Sequence, residues 1–151
     1  KRGAPDQAAV ENVSESMHIA NDPAGLREAI KWGWKFDLPM FITANGCDDS
    51  RDDYRRSYLA EHVHALWHMV NFNAPVRGYF HWSLTDHFAW ERGWSEKFGL
   101  WGLDPQTQQR TRRQSADFYA EICRTGSLSS DMVEKHCPEV FDRFFLYESS
   151  E

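Results

Sequence analysis

The side chains with obvious chemical capacity are the histidines, the cysteines and the aspartates of the chain's middle third. His64 and His68 stand one helical turn apart and could present two imidazoles to a metal ion, with His62, His81 and His87 nearby in sequence. Zinc needs three or four converging donors, and Trp67 and Met69 flank His68 where a further ligand would be wanted, so no metal site is read here. Cys47, Cys123 and Cys137 are odd in number and lack CxxC spacing, which supports neither a disulfide framework nor a thiolate zinc site and fits a reducing, cytoplasmic setting. No glycine-rich phosphate cradle and no Gly-x-Ser-x-Gly elbow occurs, so phosphoryl and acyl transfer have no support. What remains are two dense segments, Pro39-Met40-Phe41-Ile42-Thr43-Ala44-Asn45-Gly46 and Gly78-Tyr79-Phe80-His81-Trp82-Ser83-Leu84-Thr85-Asp86-His87-Phe88-Ala89-Trp90.

The elements that must position these segments follow from local chemistry. Asp22-Pro23 offers an N-cap and a first helical residue, and Leu26, Ile30 and Trp34 recur at helical spacing until Leu38-Pro39. Met40 to Thr43 is a short apolar run closed by the turn pair Asn45-Gly46, which predicts a buried strand. A polar segment from Cys47 to Asp53 leads to a second helix with Leu59, Val63, Leu66 and Val70 on one face, broken at Asn73-Ala74-Pro75. Val76 to Trp82 predicts a second strand, followed by a long aromatic loop from Ser83 to Trp101. Ser115 is the expected cap of a third helix that carries Phe118, Tyr119 and Ile122 and ends at Gly126. Ser129 or Ser130 can cap a short helix running to Cys137-Pro138, with a further one around Val140, Phe141 and Phe144.

The order helix, strand, helix, strand, helix describes two βα units preceded by a helix, hence parallel strands and right-handed crossovers. Two strands cannot cover both faces of a parallel sheet, so either the remaining strands lie on another chain or this segment was separated from them by proteolysis or design. The organisation read is a loop segment over 1–21, the part holding the two βα units over 22–126 and a helical extension over 127–151.

The two dense segments are similar to the signatures of the family 1 glycoside hydrolases of β-glucosidase type, a strand ending in Ile-Thr-Glu-Asn-Gly and a later Gly-Tyr-Phe-x-Trp-Ser-Leu-x-Asp-Asn-Phe-Glu-Trp. Gly93-Trp94, Phe98-Gly99-Leu100 and the run Arg110, Arg113, Ser115, Ala116 and Tyr119 extend the likeness. The resemblance implies a partial TIM (β/α)8 barrel: its last two βα units with the preceding and C-terminal helices, completed by a complementary chain carrying strands 1–6. It also implies retaining β-glycoside hydrolysis, in which two carboxylates about 5 to 5.5 Å apart flank the anomeric carbon. In that alignment Ala44 occupies the position of the nucleophilic glutamate, and Ala89 that of a glutamate that hydrogen-bonds the glycone. The family's acid/base motif, Thr-x-Asn-Glu-Pro, does not occur in the chain. Trp82, Trp90 and Phe98 match family positions lining the glycone subsite, where flat aromatic faces pack on a sugar. Asp86 matches a supporting position, and a structural hydrogen bond is favoured over a role as replacement nucleophile.

The expectation is therefore a hydrolytically disabled β-glucosidase-like barrel fragment, either an altered or split glycosidase scaffold or a pseudo-glycosidase that binds a β-glucoside, another sugar or a partner without cleaving it; an active hydrolase using another carboxylate ranks third. No cofactor is implied. With 151 residues, 41% hydrophobic and 15% aromatic, the chain can build a core, and its formal charge of −6 gives no electrostatic basis for a nucleic-acid partner. No apolar run approaches the roughly 20 residues of a membrane span. Asn12-Val13-Ser14 fits a glycosylation acceptor, a tripeptide that matters only in a secreted protein.

Overall fold

The computed structural model describes residues 20–145; Asn12-Val13-Ser14 and most of the expected loop segment 1–21 lie outside them. Helix α1, Pro23–Trp34, starts as its sequence dictates: the Asp22 carboxylate accepts from the Gly25 N–H at 2.8 Å and proline occupies the first turn. Strand β1, Met40–Asn45, is followed by α2, Arg55–Asn71, and β2, Val76–His81. β1 and β2 pair in parallel, with Met40 opposite Val76 and Asn45 opposite His81.

One face of this sheet carries the helices. Met40, Ile42 and Val76 pack against Ile30, Met69 and Ala74 beneath α1 and α2. Tyr79 reaches a second core made by Leu59, Phe118, Ile122, Met132, Val133 and Val140. That core joins α2 to α3, Gln114–Thr125, to α4, Ser130–His136, and to a short 3-10 turn at Pro138–Val140, which runs on into α5, Phe141–Phe145. Gly126 ends α3 in the left-handed conformation at φ 63°, and Ser129 caps α4 by accepting from the Met132 N–H at 3.3 Å.

Three expectations need correction. β1 is not a buried strand: Phe41 is 57% exposed, as is Phe80 beside it, with ring centroids 6.5 Å apart. The alternation arises because helices cover only one face of the pair, and among the described residues no further strands close a barrel over the other. Secondly, the chain after the aromatic loop forms an antiparallel hairpin, β3, Trp101–Leu103, with β4, Arg110–Arg112. Its strands are three residues long and β4 is fully exposed, so no alternating apolar pattern marks it. Thirdly, Ser115 is not the cap of α3. It sits buried in the first turn with its hydroxyl unpartnered, while its N–H donates to Asp52 at 2.8 Å, 63 residues earlier.

The second helix also departs from its expected face. Leu59 is buried and Val63 and Leu66 are half-buried, but Val70 is exposed, while polar Arg55, Ser57, Glu61 and His62 are buried. Among the described residues no helix is long and apolar enough to cross a membrane.

Candidate functional site at the strand ends

The C-terminal ends of the two strands lie side by side, where chemistry is placed in a parallel βα fold. Ala44 is exposed at the end of β1, and Trp82 follows β2 directly, 42% exposed. The strand ends are locked together by the Trp82 N–H, which donates to the Asn45 carbonyl at 2.9 Å. Gly46 allows that approach: a Cβ there would stand 1.7 Å from the Trp82 carbonyl oxygen. Beneath them the Tyr79 hydroxyl donates to Asn45 Oδ1 at 2.6 Å and Asn45 Nδ2 donates to the Tyr58 hydroxyl at 3.2 Å, so Asn45 is held from both sides. Burial pushes the Tyr58 phenol far above its ordinary value and does the same to Tyr79, which keeps both neutral.

The peptide between Trp82 and Ser83 is cis. The Ser83 N–H donates to the Phe98 carbonyl at 3.0 Å and the Leu100 N–H to the Ser83 carbonyl at 2.9 Å, which clips the aromatic loop back onto its own start. His87 meets the Trp82 ring edge to face with centroids 4.9 Å apart, and its Nδ1 lies 3.3 Å from Ser83 Oγ. Phe98 is only 7% exposed, its ring 6.2 Å from His87, whereas Trp90 is 96% exposed. Ala89 is half-buried in a tight turn, with Ala89 and Gly93 exchanging both backbone bonds at 2.8 and 2.7 Å. Trp82 and Trp90 thus present the accessible faces, and Phe98 backs the histidine that steadies Trp82.

Asp86 takes no free position at this surface. It is 2% exposed and accepts from Arg113 Nη1 at 2.8 Å, Arg113 Nη2 at 2.9 Å, the Gly99 N–H at 2.9 Å and the Leu103 N–H at 3.4 Å. Burial alone would raise its pKa, but the hydrogen bonds and charge of Arg113 and the Gly99 N–H outweigh that and hold it below the ordinary carboxylate range. Its role is structural.

The polar segment after β1 proves to be a buried scaffold. Asp49 accepts from the Tyr54 and Arg55 N–H groups at 2.8 and 2.9 Å and so caps α2, while Asp52 accepts both the Arg55 guanidinium and the Ser115 N–H that opens α3. Asp48 accepts the Lys97 N–H at 2.6 Å. Arg55, fully buried, also donates to the carbonyls of Asp49 and Lys97. One charged cluster therefore ties the loop after β1 to the loop after β2. The sequence signal was a run of carboxylates ending in arginine beside a strand-end Asn-Gly, which reads equally well as a solvated turn. His64 and His68 pack edge to face at 4.6 Å against Trp67 and Phe144, on the helical side of the sheet and away from the strand ends.

Two parallel strands with helices packed on one face and an exposed tryptophan at their C-terminal ends make a partial βα fold, and that fold has known relatives. The sequence pattern of Glycosyl hydrolase family 1 matches residues 2–127, and the chain belongs to that family. It is 38% identical over 111 residues to a β-galactosidase of Saccharolobus solfataricus, covering 73% of this chain and 23% of that protein. Among solved structures it resembles a β-glucosidase of Pyrococcus furiosus with TM-score 0.78 and 34% identity, covering 85% of this chain and 27% of the other. A β-glycosidase of Pyrococcus horikoshii gives TM-score 0.77 at 31% identity, covering 82% and 30%. The chain spans about a quarter of the length of these relatives.

Proposed function

We propose that this chain forms the last two βα units of a (β/α)8 β-glycosidase barrel and that the barrel it completes is hydrolytically disabled at its nucleophile position. The observation that carries this reading is Ala44: it stands exposed at the end of β1, beside Trp82, in the place where the family motif puts a glutamate. A methyl group can neither attack an anomeric carbon nor stabilise the positive charge that develops there. Ala89, in its turn next to Trp90, removes a second carboxylate, so glycone recognition rests on aromatic stacking. The exposed rings of Phe41 and Phe80 are the surface that barrel strands 1–6 cover, and the relatives' greater length supports a partner segment of that kind.

A second reading, a sugar-binding pseudo-glycosidase, is favoured by the accessible faces of Trp82 and Trp90 at a strand end without a nucleophile. Both readings are tested on the protein assembled with the rest of its barrel, by release of nitrophenol from a nitrophenyl β-glucoside. The parent should be nearly inactive, Ala44→Glu should restore hydrolysis, and Ala44→Glu with Ala89→Glu should exceed it. Loss of a covalent nucleophile costs factors near ~10⁶ in other covalent enzymes, so the gain is measurable even if partial. Activity of the parent equal to that of Ala44→Glu would overturn the disabled-barrel reading. Calorimetric binding of cellobiose to the parent, lost in Trp82→Ala, selects the pseudo-glycosidase over a bare scaffold.

A further inference from the structure

On the helical side of the sheet, opposite the face that exposes Phe41 and Phe80, α1 and α2 enclose a groove of about 630 Å³. It is lined by Arg27, Lys31, Trp34, His68, Met69 and Phe72. Arg27 and Lys31 stand four residues apart on α1 and bring two cationic side chains to the groove, and Lys35 follows at the same interval just past the helix. The carboxylate that answers them is Glu28, exposed and 2.7 Å from Lys31 Nζ. Among the described residues the Arg27 guanidinium has no ion-pair partner, in a chain whose formal charge is −6.

Between these cations the walls are apolar. Met69 is buried at the base, Trp34 is half-buried, and Phe72 is 70% exposed at the open end. The combination is that of a small-molecule pocket: concave, largely apolar, with a few polar groups that fix orientation. A neutral apolar ligand would leave the guanidinium unanswered, and a bare inorganic anion would leave the aromatic walls wet. We propose that this groove binds a small organic anion with a flat apolar body, of the aryl carboxylate class. The carboxylate pairs with Arg27 as a two-pronged donor, Lys31 closes the rim, and the ring lies against Trp34 and Phe72. The site is separate from the strand-end surface and does not depend on whether the barrel hydrolyses; it rests on the barrel reading only in that the protein tested is the assembled one.

The test is calorimetric titration of the full-length protein, assembled with the rest of its barrel, with 2-naphthoate and with the neutral 2-naphthylmethanol. Naphthoate should bind at least about tenfold more tightly than the alcohol, and Arg27→Gln should erase that preference, as expected when one charge-assisted contact is removed. Glu134→Gln, an exposed position on α4 outside the groove, should leave naphthoate binding unchanged. Intermolecular nuclear Overhauser contacts from the naphthyl protons to the Trp34 indole of the parent protein should confirm the location without any variant. Equal affinity for the two ligands, or contacts to Trp82 in place of Trp34, would overturn the proposal.

Discussion

Arg113 and Asp86, 27 residues apart, form a two-pronged ion pair with nitrogen–oxygen distances of 2.8 and 2.9 Å and side-chain exposures of 12% and 2%. The pair fixes the aromatic loop to the N-terminus of α3, because the same carboxylate also accepts the Gly99 and Leu103 N–H groups. Gly99 is there by necessity, since a Cβ would stand 2.2 Å from the Asp86 nitrogen. Asp86→Asn should therefore act on stability. Leaving a buried guanidinium without its counter-charge costs about 3 to 5 kcal/mol, to be read from urea unfolding midpoints. In the Ala44→Glu background the same substitution should lower activity only in proportion to the folded fraction; a specific loss of turnover at full folding would make Asp86 a participant in the chemistry.

Gly46 and Gly126 offer a contrast between two reasons for glycine. At Gly46 the obstacle is the Trp82 carbonyl, a backbone atom that cannot step aside, so Gly46→Ala should separate the strand ends and prevent cooperative folding. At Gly126 the space is open and only the left-handed φ of 63° resists a side chain. Gly126→Ala should cost about 1 kcal/mol, a small shift in melting temperature. Equal effects from the two substitutions would contradict the close approach of Gly46 to Trp82.

Acidification should destabilise the fold through its buried histidines. Burial, then the charge of Arg55, pushes the His81 pKa from its ordinary 6.5 down to about 3, and burial also lowers that of His62. Between pH ~6.5 and 3 the unfolded chain binds a proton at His81 that the folded chain refuses, so stability is full above pH ~6.5 and falls as pH drops toward 3, by up to about 1.4 kcal/mol per pH unit, with His62 acting in the same direction. Asp86, whose pKa is also depressed, adds a further loss below its ordinary value of 3.8. Thermal melts from pH 7 to pH 4 should show the decline, and His81→Gln should flatten it. A melting temperature independent of pH over this range would show that His81 is not buried neutral.

The sequence by itself determined the elements whose causes are local. Asp22-Pro23 sets the start of α1, Gly126 the end of α3, the pair Ser129-Ser130 the start of α4, where the structure selects Ser129, and the two motif segments place β1 and β2 in parallel order around α2. Each depends on neighbours within a few residues or on a periodicity, so each can be read along the chain. The motif segments also carry the family and put Ala44 and Trp82 at adjoining strand ends.

Tertiary structure decided how the polar residues are used. Asp49 and Asp52 look like members of a solvated turn, yet they cap α2 and α3, because Arg55 is buried with them and the Ser115 N–H is brought 63 residues through sequence to meet Asp52. The same holds for Asp86, whose partner Arg113 lies beyond a hairpin that no apolar alternation announces, and for His87, which reads as an isolated imidazole but braces Trp82. Hydrogen bonds and charges carry no periodic signature: a carboxylate's role depends on which distant donor the fold delivers, and burial then makes that contact obligatory. Burial itself escaped the sequence for a related reason. Phe41 has the composition of a core strand, but whether it is covered depends on a second layer of strands, and the helices packed around β1 shield only its other side.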